Sequence, residues 1–256
     1  MALYIREGGA HKAMGALYTK NGGAVQGFAS VYTKENGALC PLFADGTMLS
    51  DMSIGDTVTL REGEKNATYR IWHKGYLDTQ AVLLVREEVL PVQMAFADTV
   101  TDYGESAVDA YLQTEFLPTL DGDLRARLVT VDVPFTRHGA SVDDPVITAS
   151  RSCFLLSVDE LGGDIIANGP SQSDGTRLDY HIAQAKACGS YSAPRVAYDE
   201  NGIARPWWLR SALSMSGSVT EYGCFCTADG ALDYTAIDQI YYLRPALAVH
   251  GRYIPT

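Results

Sequence analysis

RPWWLRSALSMSGS, residues 205–218, joins two adjacent tryptophans and an arginine to a run of small residues. Adjacent side chains on a strand point to opposite faces, so we expect one indole to anchor the core and the other to pack beneath a loop. An arginine within an apolar strand persists only when its five donors are paired, which applies to Arg210 and Arg244. Asp229, in a predicted turn, is a candidate partner. The expected scaffold residues are Trp207, Trp208, Arg210, Asp229, Gly230, Arg244 and Pro245.

The segment that follows has a different composition. Residues 213–241 contain no Lys, Arg or Asn, but three each of Ser, Thr, Tyr, Asp, Gly and Ala. Mixtures of Tyr, Ser and Gly are typical of adaptable binding surfaces, in which a few aromatic anchors carry most of the binding energy. A solvated loop or an ordinary strand face is the competing interpretation for each residue. The candidate ligand-binding residues are Ser214, Ser216, Ser218, Tyr222, Cys224, Asp233, Tyr234, Ala236, Asp238, Ile240 and Tyr241.

The pattern upstream of this segment predicts a mixture of short strands and short helices. Alternating or continuous apolar runs predict strands over residues 55–60, 67–74, 81–85, 129–135, 153–157, 207–210, 219–227 and 240–249. Helical spacing, with Ser106-x-x-Asp109 as a start signal, predicts helices over residues 105–117, 123–128 and 158–161. Residues 168–201 are rich in Gly, Ser, Pro and Asp and predict a long irregular loop covering the core. The elements together predict an α+β fold.

The amino-terminal end repeats at a spacing of 14 residues. YIREGGA begins at Tyr4, YTKNGGA at Tyr18 and YTKENGA at Tyr32. Each unit predicts a short strand, a basic residue and a two-residue turn of the hairpin type, with strands over residues 3–5, 16–19 and 30–33. Such hairpins bury too little area to be stable alone. We therefore expect residues 1–43 to pack on their own chain or to act as an assembly module, and residues 44–256 to form the main domain.

Composition and charge restrict the classes of partner. A chain of 256 residues, 46% hydrophobic and 20% charged, predicts a folded, soluble protein with one large domain and a small appendage. A net charge of −11 disfavours nucleic acid and anionic membranes as partners. No apolar window approaches the ~20 residues that span a bilayer, and the first 25 residues lack a secretion-signal pattern. We expect no nucleic-acid partner, no membrane insertion, and synthesis in the cytoplasm without a standard signal peptide.

Motifs for catalysis and for metal binding are sparse. The five cysteines are an odd set that cannot all pair within one chain, which predicts reduced thiols. Cys224-Phe225-Cys226 lacks the second pair that tetrahedral zinc needs, and a compact Glu-Pro-Asn calcium cluster is missing. The five histidines are scattered, without HExxH, GxSxG or a phosphate-binding loop. We expect no catalytic residue, no cofactor and no bound metal.

Three segments resemble the closing pattern of a C-type-lectin-like domain common in gut bacteria and their phages. They are WWLRS at residues 207–211, the Asp229-Gly230 turn, and YLRPAL at residues 242–247. The order of the upstream segments also fits, so the resemblance covers roughly residues 44–256. Ala212 stands where proline is usual, and Tyr242-Leu243 stands where Gly-Val is usual. The implied fold is the mixed C-type-lectin-like version shared with formylglycine-generating enzyme, with irregular loops.

The same version of the fold occurs in the variable proteins of diversity-generating retroelements. The resemblance implies that about residues 207–245 display a surface rewritten by adenine-directed mutagenesis, and that the function is ligand recognition. Lys and Asn, whose codons are rich in adenine, do not occur after Asn201, although 11 occur up to that position. Such a depletion fits a history of adenine mutagenesis.

The implied partners follow from this resemblance. We expect a bacterial surface protein or a glycan as receptor, and attachment to a phage tail or another assembly through residues 1–43. Oligomerisation, for instance as a trimer, would add avidity to weak single sites. The implied location is the virion tail or a bacterial cell surface. Two alternatives are a formylglycine-generating-enzyme-like oxidase acting through Cys224 and Cys226, and a bacterial surface structural protein without diversification.

Overall fold

The described part of the chain is a mixed fold dominated by β-sheets. The computed structural model describes residues 47–99, 102–136, 145–163, 174–190, 192–213 and 222–255, and the backbone of six strands between residues 4 and 44. Within these residues, five sheets are accompanied by three α-helices and a few short 3-10 or π-helical turns. This composition agrees with the α+β class expected from the sequence.

The amino-terminal repeats form hairpins. The strands are β1 (Tyr4–Glu7), β2 (Ala10–Ala13), β3 (Lys20–Asn21), β4 (Ala24–Val25), β5 (Ser30–Glu35) and β6 (Ala38–Ala44). The closing pairs are Glu7 with Ala10, Asn21 with Ala24 and Glu35 with Ala38, so two residues join the strands in every unit. Strands β2-β1-β5-β6 form one sheet, and β3 pairs with β4. The predicted hairpins are confirmed, whereas the strand predicted over residues 16–19 lies outside the described residues.

The remaining strands form two five-stranded sheets and a two-stranded ribbon. They are β7 (Thr57–Glu62), β8 (Lys65–Lys74), β9 (Ala81–Arg86), β10 (Gln93–Ala95), β11 (Val131–Phe135), β12 (Ile147–Arg151), β13 (Cys153–Phe154), β14 (Trp207–Leu213), β15 (Tyr222–Cys226), β16 (Leu232–Ala236), β17 (Ile240–Tyr242) and β18 (Ala246–His250). One sheet has the order β13-β18-β9-β8-β7 and the other the order β10-β17-β14-β15-β16, while β11 pairs with β12.

The first of these sheets forms the centre of the molecule. The predicted β7–β8 hairpin is confirmed, with Gly63 at φ +59° in its two-residue turn. All six residues of β9 are buried, which agrees with the continuous apolar run that predicted this strand. Strand β18 lies beside it and is buried over its first four residues. The apolar side chains of both five-stranded sheets and of the helix that starts at Ala107 belong to one hydrophobic core.

The helices are short. They are α1 (Ala107–Tyr111), α2 (Gly122–Arg125) and α3 (Asp179–Cys188). Ser106 caps α1 by accepting a hydrogen bond from the backbone N–H of Asp109 (3.1 Å), so the predicted start signal is confirmed. A π-helical turn and a 3-10 turn continue this segment to Thr119. Helix α2 confirms the second predicted helix with slightly different bounds.

Helix α3 corrects the expectation that residues 168–201 are irregular throughout. Only His181 and Ala185 of this ten-residue helix are buried. A single buried pair does not produce the stripe of apolar residues that marks an amphipathic helix, which explains why the pattern was missed. Gly189, at φ +65°, ends the helix in the left-handed conformation that favours glycine.

Several predicted bounds were wrong for local reasons. The strand predicted over residues 153–157 contains only Cys153 and Phe154, and residues 158–162 form a hydrogen-bonded turn instead of a helix. The run 240–249 divides into β17 and β18, because Pro245 has no N–H to donate to a sheet. Strands β10, β12 and β16 were not predicted, since they are short and largely half-exposed.

Candidate functional site

Strand β14 carries the two adjacent tryptophans in opposite directions. The Trp207 indole donates to the carbonyl oxygen of Arg195 (3.2 Å), in the 3-10 turn that follows α3. The Trp208 indole donates to the carbonyl oxygen of Met94 (2.9 Å) and packs edge-on against Phe96. Both side chains are completely buried. The expectation that the two indoles point to opposite faces of the strand is confirmed.

Arg210 is the centre of a buried ionic network. Its guanidinium pairs with Glu160 (2.6 Å and 2.8 Å), and both side chains are 0% exposed. It also donates to the carbonyl oxygens of Pro134, Leu155 and Asp174. Glu160 accepts two further hydrogen bonds, from the Tyr76 hydroxyl and from the Ser157 backbone N–H. The prediction that the donors of Arg210 are paired is confirmed.

The predicted partner of these arginines was wrong. Asp229 is exposed and accepts hydrogen bonds from Thr227 and from the backbone N–H of Ala231 in its own turn. Hydrogen bonds within the turn lower the pKa of its carboxyl group, the Thr227 hydroxyl contributing most. The ionic partner of Arg210 comes instead from residues 158–162, some 50 positions earlier in the chain. A charge partner at that separation leaves no local signal in the sequence.

The Asp229-Gly230 turn joins β15 to β16 and is tightly enclosed. Gly230 has φ +84°, which favours glycine. A Cβ atom at this position would lie 2.1 Å from the carbonyl oxygen of Ser192. The turn is therefore packed against the segment that follows α3, and the scaffold assignment of Gly230 agrees with this contact.

Strands β15 and β16 bring part of the predicted binding site together. Tyr222 pairs with Ala236, and Cys224 pairs with Tyr234, so these four residues share one face. The rings of Tyr222 and Tyr234 meet edge to face with centroids 5.4 Å apart, and both tyrosines are half-buried. Strand β16 lies at the edge of its sheet, and none of its five residues is buried. Within the described residues, no strand pairs with the outer side of β16.

Other predicted site residues lie elsewhere. Asp233 pairs with Phe225 on the opposite face, and Tyr241 stacks on the Phe225 ring with centroids 4.4 Å apart. Asp238 is exposed in the turn that precedes β17, and Ile240 is exposed at the first position of β17. The predicted residues therefore do not form one continuous surface, because alternate strand positions point to opposite faces. Ser214, Ser216 and Ser218 lie outside the described residues.

Cys224 was wrongly assigned to the binding surface. Its side chain is only 3% exposed, and Cys226 on the same strand is completely buried. Burial raises the pKa of the Cys224 thiol well above its usual range, and burial raises the pKa of Cys226 to about 12. The thiolate is the reactive form of cysteine, and burial of this kind suppresses it. The two thiols therefore lie in the core, where burial disfavours the thiolate form.

Asp174 is a buried carboxyl group beside the ionic network. Its Oδ2 has no hydrogen-bond partner among the described residues. Burial raises its pKa from 3.8 to about 6, while the nearby Arg210 guanidinium partly opposes this shift. The group therefore titrates at a pH where an ordinary aspartate is already ionised.

Arg244 occupies a different environment from Arg210. Its guanidinium lies between the rings of Trp72 and Trp207, with Cζ 5.3 Å and 5.2 Å from their centroids. Within the described residues, its one hydrogen bond runs from Nε to the carbonyl oxygen of Arg86 (2.8 Å). Nη1 is enclosed and has no partner there. The prediction that every donor of this arginine is paired is wrong for the described part of the chain.

No group of three or more His, Cys, Asp or Glu side chains within the described residues is arranged to hold a metal ion. None of the helices in this part of the chain is long and apolar enough to cross a membrane.

Comparison with known proteins gives a family but no described relative. Neither a curated protein nor a solved structure matches the chain. A family model, described as a domain of unknown function (DUF6273), matches residues 79–251, which is more than half of the chain. This range contains the Arg210–Glu160 pair, the β15–β16 hairpin and Arg244, whereas Trp72 and Tyr76 lie just before it. The protein therefore belongs to the DUF6273 family.

Proposed function

We propose that this protein is a non-enzymatic ligand-binding protein that displays a variable surface on a C-type-lectin-like scaffold. The ligand is a receptor on a bacterial surface, either a protein or a glycan. The binding surface, called here the β16 edge, consists of Tyr222, Tyr234 and Ala236. This proposal joins the sequence resemblance to the placement of the tyrosines.

The observation that carries the proposal is the exposure of β16. An edge strand with free backbone groups pairs readily with other chains, and proteins usually cover or protect such strands. Here none of the five residues is buried, and a pair of half-buried tyrosines lies beside the free edge. Tyrosine offers a large contact area at a small cost in conformational entropy. These features support a binding surface.

The core beneath this edge supports the idea of display. Strand β14, which pairs with β15, is fixed by two buried tryptophans and by the Arg210–Glu160 ion pair. A core fixed by such contacts tolerates substitution at outward-facing neighbours, because surface changes affect stability little. In our proposal, diversification occurs at outward-facing positions within about residues 207–245. Residues 207–211, at the start of this range, belong to the fixed scaffold.

The amino-terminal hairpins supply the attachment in this proposal. Their closing strand pairs recur at a spacing of 14 residues. We propose that residues 1–43 dock the protein on a phage tail or another assembly, and that several copies act together. Multivalent display would compensate for weak single sites.

A binding assay on intact cells tests the β16 edge. Labelled protein is sedimented with a panel of gut bacterial strains, and saturable binding to at least one strain is expected. Replacement of Tyr222 and Tyr234 by Ala should weaken that binding by roughly tenfold or more, as for aromatic anchors at other interfaces. Ile182→Ala, which removes an exposed apolar side chain on α3, is the matched control and should bind normally.

The assay has outcomes that overturn the proposal. Binding to no strain in the panel, or equal binding by the double tyrosine variant and the Ile182 control, would contradict it. Prior treatment of the cells with protease or with periodate distinguishes a protein receptor from a glycan.

A further inference from the structure

A cavity away from the β16 edge has the features of a small-molecule site. It measures about 430 Å³, within the range of ~300–1,000 Å³ that is usual for ligand pockets. Arg244 lines it together with Glu87, Glu88, Tyr180, Pro194 and Tyr198. The residues after β9, Arg244 before β18, helix α3 and the segment between α3 and β14 thus line a mixed polar and apolar space.

Arg244 provides a buried cation that forms no ion pair with the described residues, although the more distant Glu87 carboxylate attracts it. The side chain is 3% exposed, yet no carboxylate of the described residues lies within ion-pair distance of it. The Arg244 Cζ lies over the rings of both Trp72 and Trp207, and the N–H donors of the planar guanidinium lie at its edge. One edge position is used by the carbonyl oxygen of Arg86, and Nη1 has no acceptor in the described part of the chain. A buried charge of this kind is costly unless a partner compensates it.

The neighbouring Trp72 indole also lacks a hydrogen-bond acceptor among the described residues. Its Nε1 atom is buried. Trp72 stacks on Arg244 and also packs against Tyr180, with ring centroids 4.9 Å apart, and Tyr180 lines the cavity. Two buried donors without acceptors therefore lie in one cluster beside one cavity. Buried polar groups are nearly always hydrogen-bonded, so this cluster calls for an oxygen-bearing acceptor that the described residues do not supply.

The rim of the cavity carries the opposite charge. The Glu87 carboxylate is held by Arg70 (2.6 Å), and Glu200, also at the rim, lies 3.8 Å from the exposed Lys65. Glu88 has no ion-pair partner within the described residues. A simple anion would be repelled by these carboxylates. A ligand with an anionic end for Arg244 and a cationic end for Glu88 satisfies both charges.

The remaining walls offer apolar contacts. Pro194, Val196 and Ala193 line one side, and Tyr198, which is 48% exposed, stands at the opening. An exposed aromatic residue beside a cavity is typical of a ligand contact. The ligand therefore has an apolar body between its two charged ends.

We propose that this cavity binds a small zwitterion of the amino-acid class, with its carboxylate on the Arg244 guanidinium and its ammonium group on Glu88. A carboxylate accepts charge-assisted hydrogen bonds from an arginine, and these are stronger than hydrogen bonds between neutral groups. This site is independent of the β16 edge and uses none of its residues.

A binding screen with defined probes tests the site. The purified full-length protein is mixed with each of the twenty L-amino acids, and binding is detected by a rise in the unfolding temperature and measured by titration calorimetry. The amino acid that binds best is then tested as its carboxamide and as its N-acetyl derivative. Each derivative lacks one of the two charges, and we expect each to bind roughly tenfold or more weakly.

Variants supply the second arm of the test. Glu88→Gln should weaken the free amino acid and leave the N-acetyl derivative unchanged, whereas Glu64→Gln, in the exposed β7–β8 turn, should change neither. Tyr234→Ala should also leave amino-acid binding intact, which separates this site from the β16 edge. Arg244→Lys should abolish the preference for the free carboxylate over the carboxamide. If that variant does not fold, the two derivatives and the Glu88→Gln variant decide whether the proposal holds. Failure of all twenty amino acids to bind, or equal binding of the carboxamide, would overturn the proposal.

Discussion

Two arginines of the scaffold show how much the partner of a buried charge matters. Arg210 and Arg244 both lie in largely apolar surroundings near the end of the chain, and the sequence suggested the same role for both. Arg210 is saturated by Glu160 and by three carbonyl oxygens. Arg244 makes one hydrogen bond to the described residues and lines a cavity. The first arginine therefore stabilises the fold, and the second is available to a ligand.

Loss of the Arg210 charge should be strongly destabilising. Arg210→Met leaves Glu160 buried without its partner, and removal of one member of a buried pair costs about 3–5 kcal/mol in the free energy of unfolding. Urea denaturation measures this loss. Arg205→Met, which breaks the more exposed pair with Asp199, is the control and should lose much less. Equal losses in the two variants would contradict the role assigned to Arg210.

Asp174 should make stability depend on pH. Its pKa is about 6 in the folded protein and 3.8 in the reference state, so between these values the folded state holds a proton that the unfolded state has released. The free energy of unfolding therefore falls as pH rises through this window, by on the order of 3 kcal/mol in total.

Asp174→Asn removes this titration. The variant should lose the decline between about pH 4 and pH 6 and be more stable than the parent protein at pH 8. Thermal unfolding at a series of pH values measures the effect, and Asp233→Asn on an exposed strand position is the control. An unchanged slope in Asp174→Asn would show that another group causes any pH dependence.

At the scale of the elements, the turns fix the arrangement of the hairpins. The Asp229-Gly230 turn holds β16 beside β15 and touches the segment after α3 at the Ser192 carbonyl. The β16 edge therefore depends on one glycine for its position. A change at this glycine should affect stability through both backbone strain and a steric clash.

Gly230→Ala separates these two effects when it is compared with Gly202→Ala. Both glycines have positive φ, but a Cβ at Gly202 meets nothing within 4 Å, whereas one at Gly230 meets the Ser192 oxygen at 2.1 Å. Gly202→Ala should cost about 1–2 kcal/mol from strain alone. Gly230→Ala should cost about 1–3 kcal/mol more, because the backbone has to shift. Unfolding by urea measures both, and equal losses would mean that the turn is not packed as described.

The elements that were predictable from the sequence are those with a local signal. The hairpins, strand β9 and the cap of α1 follow from turn residues, apolar runs and a side-chain spacing. Helix α3 and strand β16 have few or no buried residues, so their periodicity is weak. The Glu160 partner of Arg210 and the burial of Cys224 depend on contacts between distant segments. The pattern of a single segment therefore does not predict the Arg210–Glu160 pair or the burial of Cys224.

In our proposal, the whole molecule combines a fixed core with a variable edge. The family range, residues 79–251, includes the Arg210–Glu160 pair and the exposed strand. In our proposal, the amino-terminal hairpins attach the protein, the core holds its shape, and the β16 edge meets the receptor. The amino-acid cavity beside Arg244 is a separate function of the same scaffold.

Sequencing the DNA that surrounds the gene is the most direct test of whether this protein displays a diversified surface. A diversified display protein requires a reverse transcriptase and a template from which the variable codons are rewritten. We predict that the neighbourhood contains a reverse-transcriptase gene and a second copy of the codons for residues 207–245, differing mainly at adenines. Codons for the half-buried residues Tyr222, Tyr234 and Ala236 should be among those that differ, and codons for Trp207, Trp208 and Arg210 should not. A neighbourhood with neither the gene nor the copy would contradict the account.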